Sequence, residues 1–259
     1  MLGKLIKYEF KATARIFLPL FSALLIVSAI TKLLSGASVN VPFAISMTLS
    51  VMLIIAAFVL TLILTVQRFY KNLMTDEGYL MHTLPVGAGR LILAKLIAAA
   101  VWTLVCAAVV FLSLMIMAFS GGELREFAQM LRNTGLPTAD LILFILEFCA
   151  LALSGLLGSI LMIYASLALS MFFNKHRIGV SFAIYIGLTT ALQILMGIVG
   201  VIFSRMSRET YQTFEAFIEQ NTLASVHICM STVLAIVIAF AVGMFFTTRT
   251  MLKNRLNLQ

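Results

Sequence analysis

The chain has 259 residues, of which 62% are hydrophobic and 11% are charged. Soluble domains are typically about 45–50% apolar and about 25% charged, so this chain has too few charges to cover a soluble fold. The composition therefore predicts an integral membrane protein. The net charge of +8 does not predict nucleic-acid binding, because the basic residues stand at the ends of apolar runs, where membrane orientation explains them.

Six apolar runs are long enough to cross the hydrocarbon core of a bilayer as helices. Backbone polar groups in lipid must be paired within the structure, and the short alternating strands of a barrel do not occur in the sequence. We therefore expect an all-α integral membrane protein whose single domain, 1–259, is a six-helix transmembrane bundle. The predicted spans are residues 16–34, 41–66, 96–119, 141–173, 178–203 and 226–247.

Lysine and arginine indicate the orientation of the spans, because short cytoplasmic loops carry an excess of both residues. With the N-terminus in the cytoplasm, 13 of the 18 lysine and arginine residues fall in the inner segments. This bias predicts that both termini are cytoplasmic. The first run is expected to be a retained span and not a cleaved signal peptide, because its basic lead is long and its apolar stretch is continuous.

The first residues, MLGKLIKYEFKATAR, predict an amphipathic helix over 1–15. At about 100° per residue the basic residues fall on one stripe, and Leu2, Ile6 and Phe10 lie roughly opposite. Such a helix suits the inner membrane surface, with its basic face towards lipid phosphates and the cytoplasm. The alternative is a basic tail that only sets topology. The predicted membrane-surface residues are Lys4, Lys7, Lys11 and Arg15.

A polar segment, RFYKNLMTDEGYLMHTLPVGAGRLILAK, separates the second and third spans. Apolar residues recur in it at helical spacing with polar residues on the other face, which predicts a short two-faced helix at 70–84. Pro85 disfavours helix at Leu84 and ends it, and the Gly87–Gly89 stretch then turns the chain into the third span. The polar side is left for water or for a partner protein, and a solvated helix without a partner is the alternative.

This segment resembles the membrane subunits of type-2 ABC exporters, especially the small permeases of Gram-positive bacteria. Gly87 departs from the family, which often has Ser after Leu-Pro-Val. The close resemblance covers residues 66–97, and the six spans and the basic N-terminal helix agree with the family more loosely. The shared features are the aromatic-basic pair at the end of the second span, Asp76-Glu77-Gly78-Tyr79-Leu80, Thr83-Leu84-Pro85-Val86, and Lys95 at the start of the third span.

The resemblance implies a permease subunit of an ATP-binding cassette exporter in the bacterial plasma membrane. Residues 70–84 are then the coupling helix, which docks in a groove of a separate ATPase subunit. The implied partners are an ABC ATPase subunit, a second copy of this chain or a paralogous permease, and the lipid bilayer, with no nucleic acid. The expected ATPase-coupling residues are Leu73, Asp76, Glu77, Gly78, Tyr79, Leu80, Leu84 and Pro85.

The sequence lacks a nucleotide-binding motif of its own. A phosphate-binding P-loop needs G-x-x-x-x-G-K-[ST], whereas Gly3-Lys4 is followed by Leu5. We therefore expect that the chain is not an enzyme, that it binds no cofactor, and that ATP and Mg are held by the partner ATPase. The cysteines form no CxxC pair and the histidines have no metal-ligand spacing, so no metal site is predicted.

Glu147 is the one acidic residue well inside an apolar run. An acid at mid-membrane costs about 2.5–3.5 kcal/mol on insertion scales, which the surrounding apolar residues offset. Glu147 could line the substrate path, hold a proton or pair with a buried basic group; alternatively, the fourth helix begins earlier and Glu147 lies near the outer interface. A secondary transporter coupled through Glu147 and a non-transporting membrane anchor for an ATPase are the competing functions.

Small residues recur at four-residue spacing in two of the runs, which favours close helix–helix packing. Packing within the bundle and a subunit interface are the two alternatives. These residues are Ala150, Ser154 and Gly158 in the fourth run, and Ala183, Gly187 and Ala191 in the fifth.

Overall fold

The structure is a computed structural model that describes residues 2–36, 40–74, 87–118, 138–173, 176–205 and 220–254, together with 126, 129, 212–213 and 215–216. Long helices account for most of these residues. They are α1 (Leu2–Gly36), α2 (Asn40–Met74), α3 (Ala88–Ala118), α4 (Thr138–Leu169), α5 (Arg177–Ser204) and α6 (Thr222–Asn254). A single 3₁₀ turn, Ser170–Phe172, follows α4.

All six helices are long and apolar enough to cross a membrane, and each overlaps one predicted span. The described residues contain no strand. The predictions of an all-helical fold and of a multi-pass membrane protein are therefore confirmed. Many large apolar side chains remain exposed along these helices, as expected of surfaces that face lipid or another helix in place of water.

The helices extend beyond the predicted spans at several ends. α2 continues to Met74, so residues 70–74 of the predicted two-faced helix are its last turn. α3 begins at Ala88, so Ala88 and Gly89 belong to its first turn and the prediction of a turn there is wrong for both residues. The amide of Arg90 donates to the carbonyl of Gly87 at 2.9 Å, which starts the helix at this point.

α1 runs without a break through both the predicted interfacial segment and the predicted first span. Pro19 lies inside this helix and lacks the N–H that would pair with the carbonyl of Arg15, four residues earlier. The missing bond thus falls at the predicted division between residues 15 and 16, although the helix continues across it. The placement of residues 1–15 on the membrane surface stays a prediction.

The helices cluster into two compact units, the N-terminal unit Met1–Gly135 and the C-terminal unit Leu136–Asn257. In the N-terminal unit, α1 packs against α2 and α3, and α2 packs against α3. All three helices supply the apolar core of this unit. Its buried members are Phe17, Phe21, Leu24, Ala57, Leu64, Cys106 and Val110.

One face of α1 is buried along almost the whole helix. Its residues are three or four apart, which is the spacing that keeps side chains on one helical face. The buried residues are Glu9, Thr13, Phe17, Phe21, Leu24, Ser28 and Thr31. The predicted basic stripe falls on the opposite face, and Lys4, Lys7, Lys11 and Arg15 are all exposed there.

In the C-terminal unit, α4 packs most extensively against α6 and less against α5. The small residues of α4 serve this packing: Ser154 is buried, and a Cβ added at Gly158 would lie 3.8 Å from the Cβ of Ala241. A Cβ at Gly187 of α5 would meet nothing within 4 Å. The α4 stripe therefore packs inside the unit. His176 takes a positive φ of 55° just before α5 begins.

Candidate functional site

A three-residue ion cluster joins the helices of the N-terminal unit. Glu9 of α1 accepts a hydrogen bond from Lys95 Nζ of α3 on its Oε1 at 2.8 Å. Its other oxygen, Oε2, accepts a hydrogen bond from Arg68 Nη1 of α2 at 2.9 Å. Both carboxylate oxygens are thus used, and one side chain holds three helices together.

The cluster is largely removed from water. The side chain of Lys95 is 5% exposed, that of Glu9 is 10% exposed, and that of Arg68 is 26% exposed. A charge in such surroundings is costly unless it is paired and hydrogen-bonded. With two cations on one carboxylate, removal of Glu9 would leave two like charges facing each other without compensation.

The positions of Arg68 and Lys95 bring the ends of α2 and α3 to one place. Arg68 lies near the C-terminal end of α2, and Lys95 lies in the second or third turn of α3. Because both bind the same carboxylate, the last turns of α2 and the first turns of α3 lie side by side. The segment between them contains most of the predicted coupling helix.

Apolar side chains pack around these two helix ends. Phe69, Leu73 and Ile92 are fully buried, and Met74 and Leu91 are 3% exposed. Such burial fixes the backbone on both sides of the ion cluster and keeps water from competing for its hydrogen bonds. The helix ends beside the cluster are therefore largely shielded from water.

Aromatic side chains of α1 surround Trp102 of α3 close to the ion cluster. The ring centroid of Phe17 lies 4.6 Å from that of Trp102 in a stacked arrangement, and Phe10 and Phe21 lie 5.9 and 6.3 Å from Trp102. Offset and tilted contacts of this kind are the favoured geometries of aromatic pairs. The indole Nε1 of Trp102 is buried and has no hydrogen-bond partner among the described residues.

Hydroxyl contacts continue the packing towards the other end of the unit. Ser28 of α1 and Ser113 of α3 lie 2.6 Å apart between their hydroxyl oxygens, and Thr31 of α1 and Ser50 of α2 lie 3.2 Å apart. Each hydroxyl of α1 also donates to a backbone carbonyl of its own helix. Such interhelical contacts orient helices where no water is present.

Of the predicted ATPase-coupling residues, Leu73 lies within the described part of the chain. It is fully buried in the N-terminal unit, and its role in coupling stays a prediction. The other predicted coupling residues lie outside the described residues, and their role stays a prediction. They are Asp76, Glu77, Gly78, Tyr79, Leu80, Leu84 and Pro85.

Glu147 pairs with a histidine in the C-terminal unit. Its Oε2 lies 2.8 Å from Nδ1 of His227 on α6, and the two side chains are 17% and 19% exposed. Of the roles considered for Glu147, the pairing with a basic group is the one that this geometry favours. A contact with substrate stays a prediction.

The sequence pattern points to Lys95 and Arg68 but not to Glu9. Glu9 sits among lysines on a segment whose exposed stripe dominates its charge pattern, so its partners cannot be identified from local spacing. The signal available in the sequence is that Glu9 lies on the face opposite the basic stripe, at four-residue spacing from Thr13 and Phe17. A lone acid on the apolar face of a helix needs a cationic partner.

Within the described residues, no group of three or more His, Cys, Asp or Glu side chains could hold a metal ion. The three cysteines are free, with Cys106 buried and Cys149 and Cys229 exposed. Comparisons of the chain with protein families, with curated proteins and with solved structures found no match.

Proposed function

We propose that this chain is the transmembrane permease subunit of an ATP-binding cassette exporter in a bacterial plasma membrane. A separate ATPase subunit binds and hydrolyses ATP with Mg, and a second permease subunit completes the substrate path. The resemblance of residues 66–97 to type-2 exporter permeases is the starting point of the proposal. The six apolar helices supply the membrane part that such a subunit requires.

The observation that carries the proposal is that both flanks of the predicted coupling segment are attached to α1 by ion pairs. Arg68 and Lys95, which flank that segment, are both tied to Glu9 of α1 at 2.9 and 2.8 Å. A segment that receives force from a partner must be fixed at both ends, because otherwise it would move relative to the helices without moving them. Coupling between distant sites needs rigid elements of this kind.

The distribution of basic residues supports a cytoplasmic position for the same segment. With both termini in the cytoplasm, 13 of 18 lysine and arginine residues fall on the inner side, including those of the exposed stripe on α1. The segment between α2 and α3 is then inside, where ATP and an ATPase subunit are found. The exposed stripe of α1 faces anionic lipid in this arrangement.

Charge reversal in the coupling segment tests the proposal. Asp76→Lys with Glu77→Lys replaces the two predicted acidic contacts by basic side chains. These would face the basic groups of the ATPase subunit that the acids are expected to contact, and a like-charge juxtaposition costs several kcal/mol at an interface. We expect the recovery of the ATPase subunit with the purified permease in mild detergent to fall by about tenfold or more. The amount of permease inserted in the membrane should not change.

Glu126→Lys with Glu215→Lys is the matched control, since it changes the net charge equally at two exposed positions. Both lie in segments predicted on the outer side, so ATPase recovery should stay at the wild-type level. Unchanged ATPase recovery in the Asp76 and Glu77 variant would exclude these residues as the contact.

Transport measurements separate the competing functions. An ATPase-inactive partner variant should stop export by an ABC exporter and leave a secondary transporter coupled through Glu147 unaffected. A membrane anchor that does not transport would retain the ATPase subunit in the same preparation but produce no ATP-dependent export. The proposed function requires both ATPase association and ATP-dependent export.

A further inference from the structure

The contact between Glu147 and His227 is a titratable link between two membrane helices. Glu147 lies in the third turn of α4 and His227 in the second turn of α6, and their side chains meet at 2.8 Å. The two helices form the most extensively packed pair in the C-terminal unit. Any change in this contact therefore acts on the main helix interface of the unit.

Few other charged or titratable groups of the described residues belong to the elements packed here. α4 carries Asp140, which lies two turns before Glu147 on the same face. α6 has no charged residue between His227 and Arg249, and the 3₁₀ turn has none. The remaining titratable residues on α4, α5 and α6 are Cys149, Tyr164, Arg177, Tyr185, Cys229 and Lys253; His176 precedes α5 and Arg205 follows it.

The geometry fixes where a proton is gained. When the carboxylate of Glu147 is ionised it only accepts hydrogen bonds, and His227 then donates to it through Nδ1–H. The proton that charges the ring is then taken up at Nε2, which turns a hydrogen bond between a neutral ring and a carboxylate into an ion pair. Charge-assisted hydrogen bonds are roughly twice as strong as neutral ones, so protonation tightens the link.

We infer that Glu147 and His227 form a proton-binding site that holds α4 against α6. Because the ring of His227 lies between the two helices, a proton gained or lost there acts directly on their contact. The link is strongest when His227 carries both protons and Glu147 is ionised. Loss of the Nε2 proton leaves the weaker hydrogen bond of the neutral ring, so the two helix ends separate more readily. The inference does not depend on the exporter function.

The free cysteines provide labelling sites for the test. Cys149 and Cys229 are exposed and each lies two residues after one partner, on another side of its helix, while Cys106 is buried. In a Cys106→Ser background, spin labels at Cys149 and Cys229 report the separation of α4 and α6 by pulsed EPR in lipid nanodiscs. We expect a narrower distance distribution at about pH 5.5 than at about pH 8.5, on either side of ordinary imidazole titration.

Substitutions of His227 and Glu147 test whether these two residues cause the pH response of the distance. His227→Gln keeps a hydrogen-bonding side chain without a titrating ring, so the distribution should be the same at both pH values. Glu147→Gln removes the ion pair and should also abolish most of the pH response, whereas His82→Gln should retain it. A wild-type distribution that does not change with pH, or a pH response that persists in His227→Gln, would overturn the inference.

Direct titration of the ring provides a second measurement. In protein labelled with ¹³C-histidine, the NMR signal that is missing in His227→Gln belongs to His227. This signal should differ between the two pH values of the EPR measurement as the ring gains its second proton. A ring that stays in one protonation state at both pH values would rule out the site.

Discussion

The carboxylate of Glu9 and the ammonium group of Lys95 lie 2.8 Å apart although they are 86 positions apart in the sequence. Glu9 also binds Arg68, so its carboxylate holds α1, α2 and α3 at one point. The bond to Lys95 is the more deeply buried of the two. Glu9 is therefore the central residue of the cluster, and its removal should affect stability more than the removal of an exposed acid.

Glu9→Gln should destabilise the folded protein by about 3 kcal/mol, because it leaves the buried ammonium group of Lys95 without its counter-charge. The free energy of unfolding can be measured by denaturant titration in mixed micelles, with the fluorescence of Trp102 as the signal. The chain has one tryptophan, and it lies in the same unit as Glu9.

Glu126→Gln is the control for this substitution, since Glu126 is exposed. Its effect should stay within about 0.5 kcal/mol, the usual range for surface positions. If Glu9→Gln falls in that same range, the cluster does not stabilise the unit.

The two ion pairs of Glu9 should differ in strength. Double-mutant cycles that combine Glu9→Gln with Lys95→Met or with Arg68→Met measure each pairwise coupling energy. We expect the Lys95 coupling to exceed the Arg68 coupling by about 1 kcal/mol or more, because exposed pairs contribute little and buried ones contribute more. Equal couplings would mean that burial does not govern the cluster.

The stacking of Phe17 on Trp102 should stabilise the core of the N-terminal unit. Phe17→Ala should cost about 3 kcal/mol, because it removes a buried ring and leaves a cavity beside the indole. The emission of Trp102 should shift as its surroundings change. Phe111→Ala, at a position that is 63% exposed on α3, should leave both the stability and the emission close to wild type.

The buried hydroxyl contact of Ser28 and Ser113 should make a smaller contribution. Interhelical hydrogen bonds in membrane proteins average about 0.6 kcal/mol and reach about 1.7 kcal/mol, so Ser28→Ala should lie within this range. A double-mutant cycle with Ser113→Ala isolates the contact. Ser22→Ala, which alters an exposed hydroxyl bonded only to its own helix, should have no measurable effect.

Hydropathy located all six membrane helices because the cost of unpaired backbone groups in lipid leaves helices as the only spanning option. It did not predict where the helices end. α2 continues past Val66 to Met74 because Phe69 and Leu73 are buried in the unit, and α3 begins before Lys95 because Glu9 neutralises that lysine. Those stabilising contacts are tertiary, and local sequence does not contain them.

Only part of the candidate site could be predicted, because its ion pairs are also tertiary contacts that local sequence does not contain. The resemblance picked out Lys95 and the end of the second span, but the partner of both cations lies on α1 and was missed. Glu147 stands out in the sequence as the one acid well inside an apolar run, whereas its partner His227 is one of three histidines without metal-ligand spacing. In each case one member stands out in the sequence, and its partner can be identified only from the packing of two helices.

Photo-crosslinking at position 79 tests the central claim most directly. A photoreactive phenylalanine derivative in place of Tyr79 lies within the predicted coupling helix, and the same derivative at Tyr211 lies in a segment predicted on the outer side. We predict a covalent adduct at position 79 with a protein that binds ATP, and none at position 211. Failure to form such an adduct in intact cells, or labelling of position 79 by a membrane-impermeant reagent from outside, would contradict the proposed function.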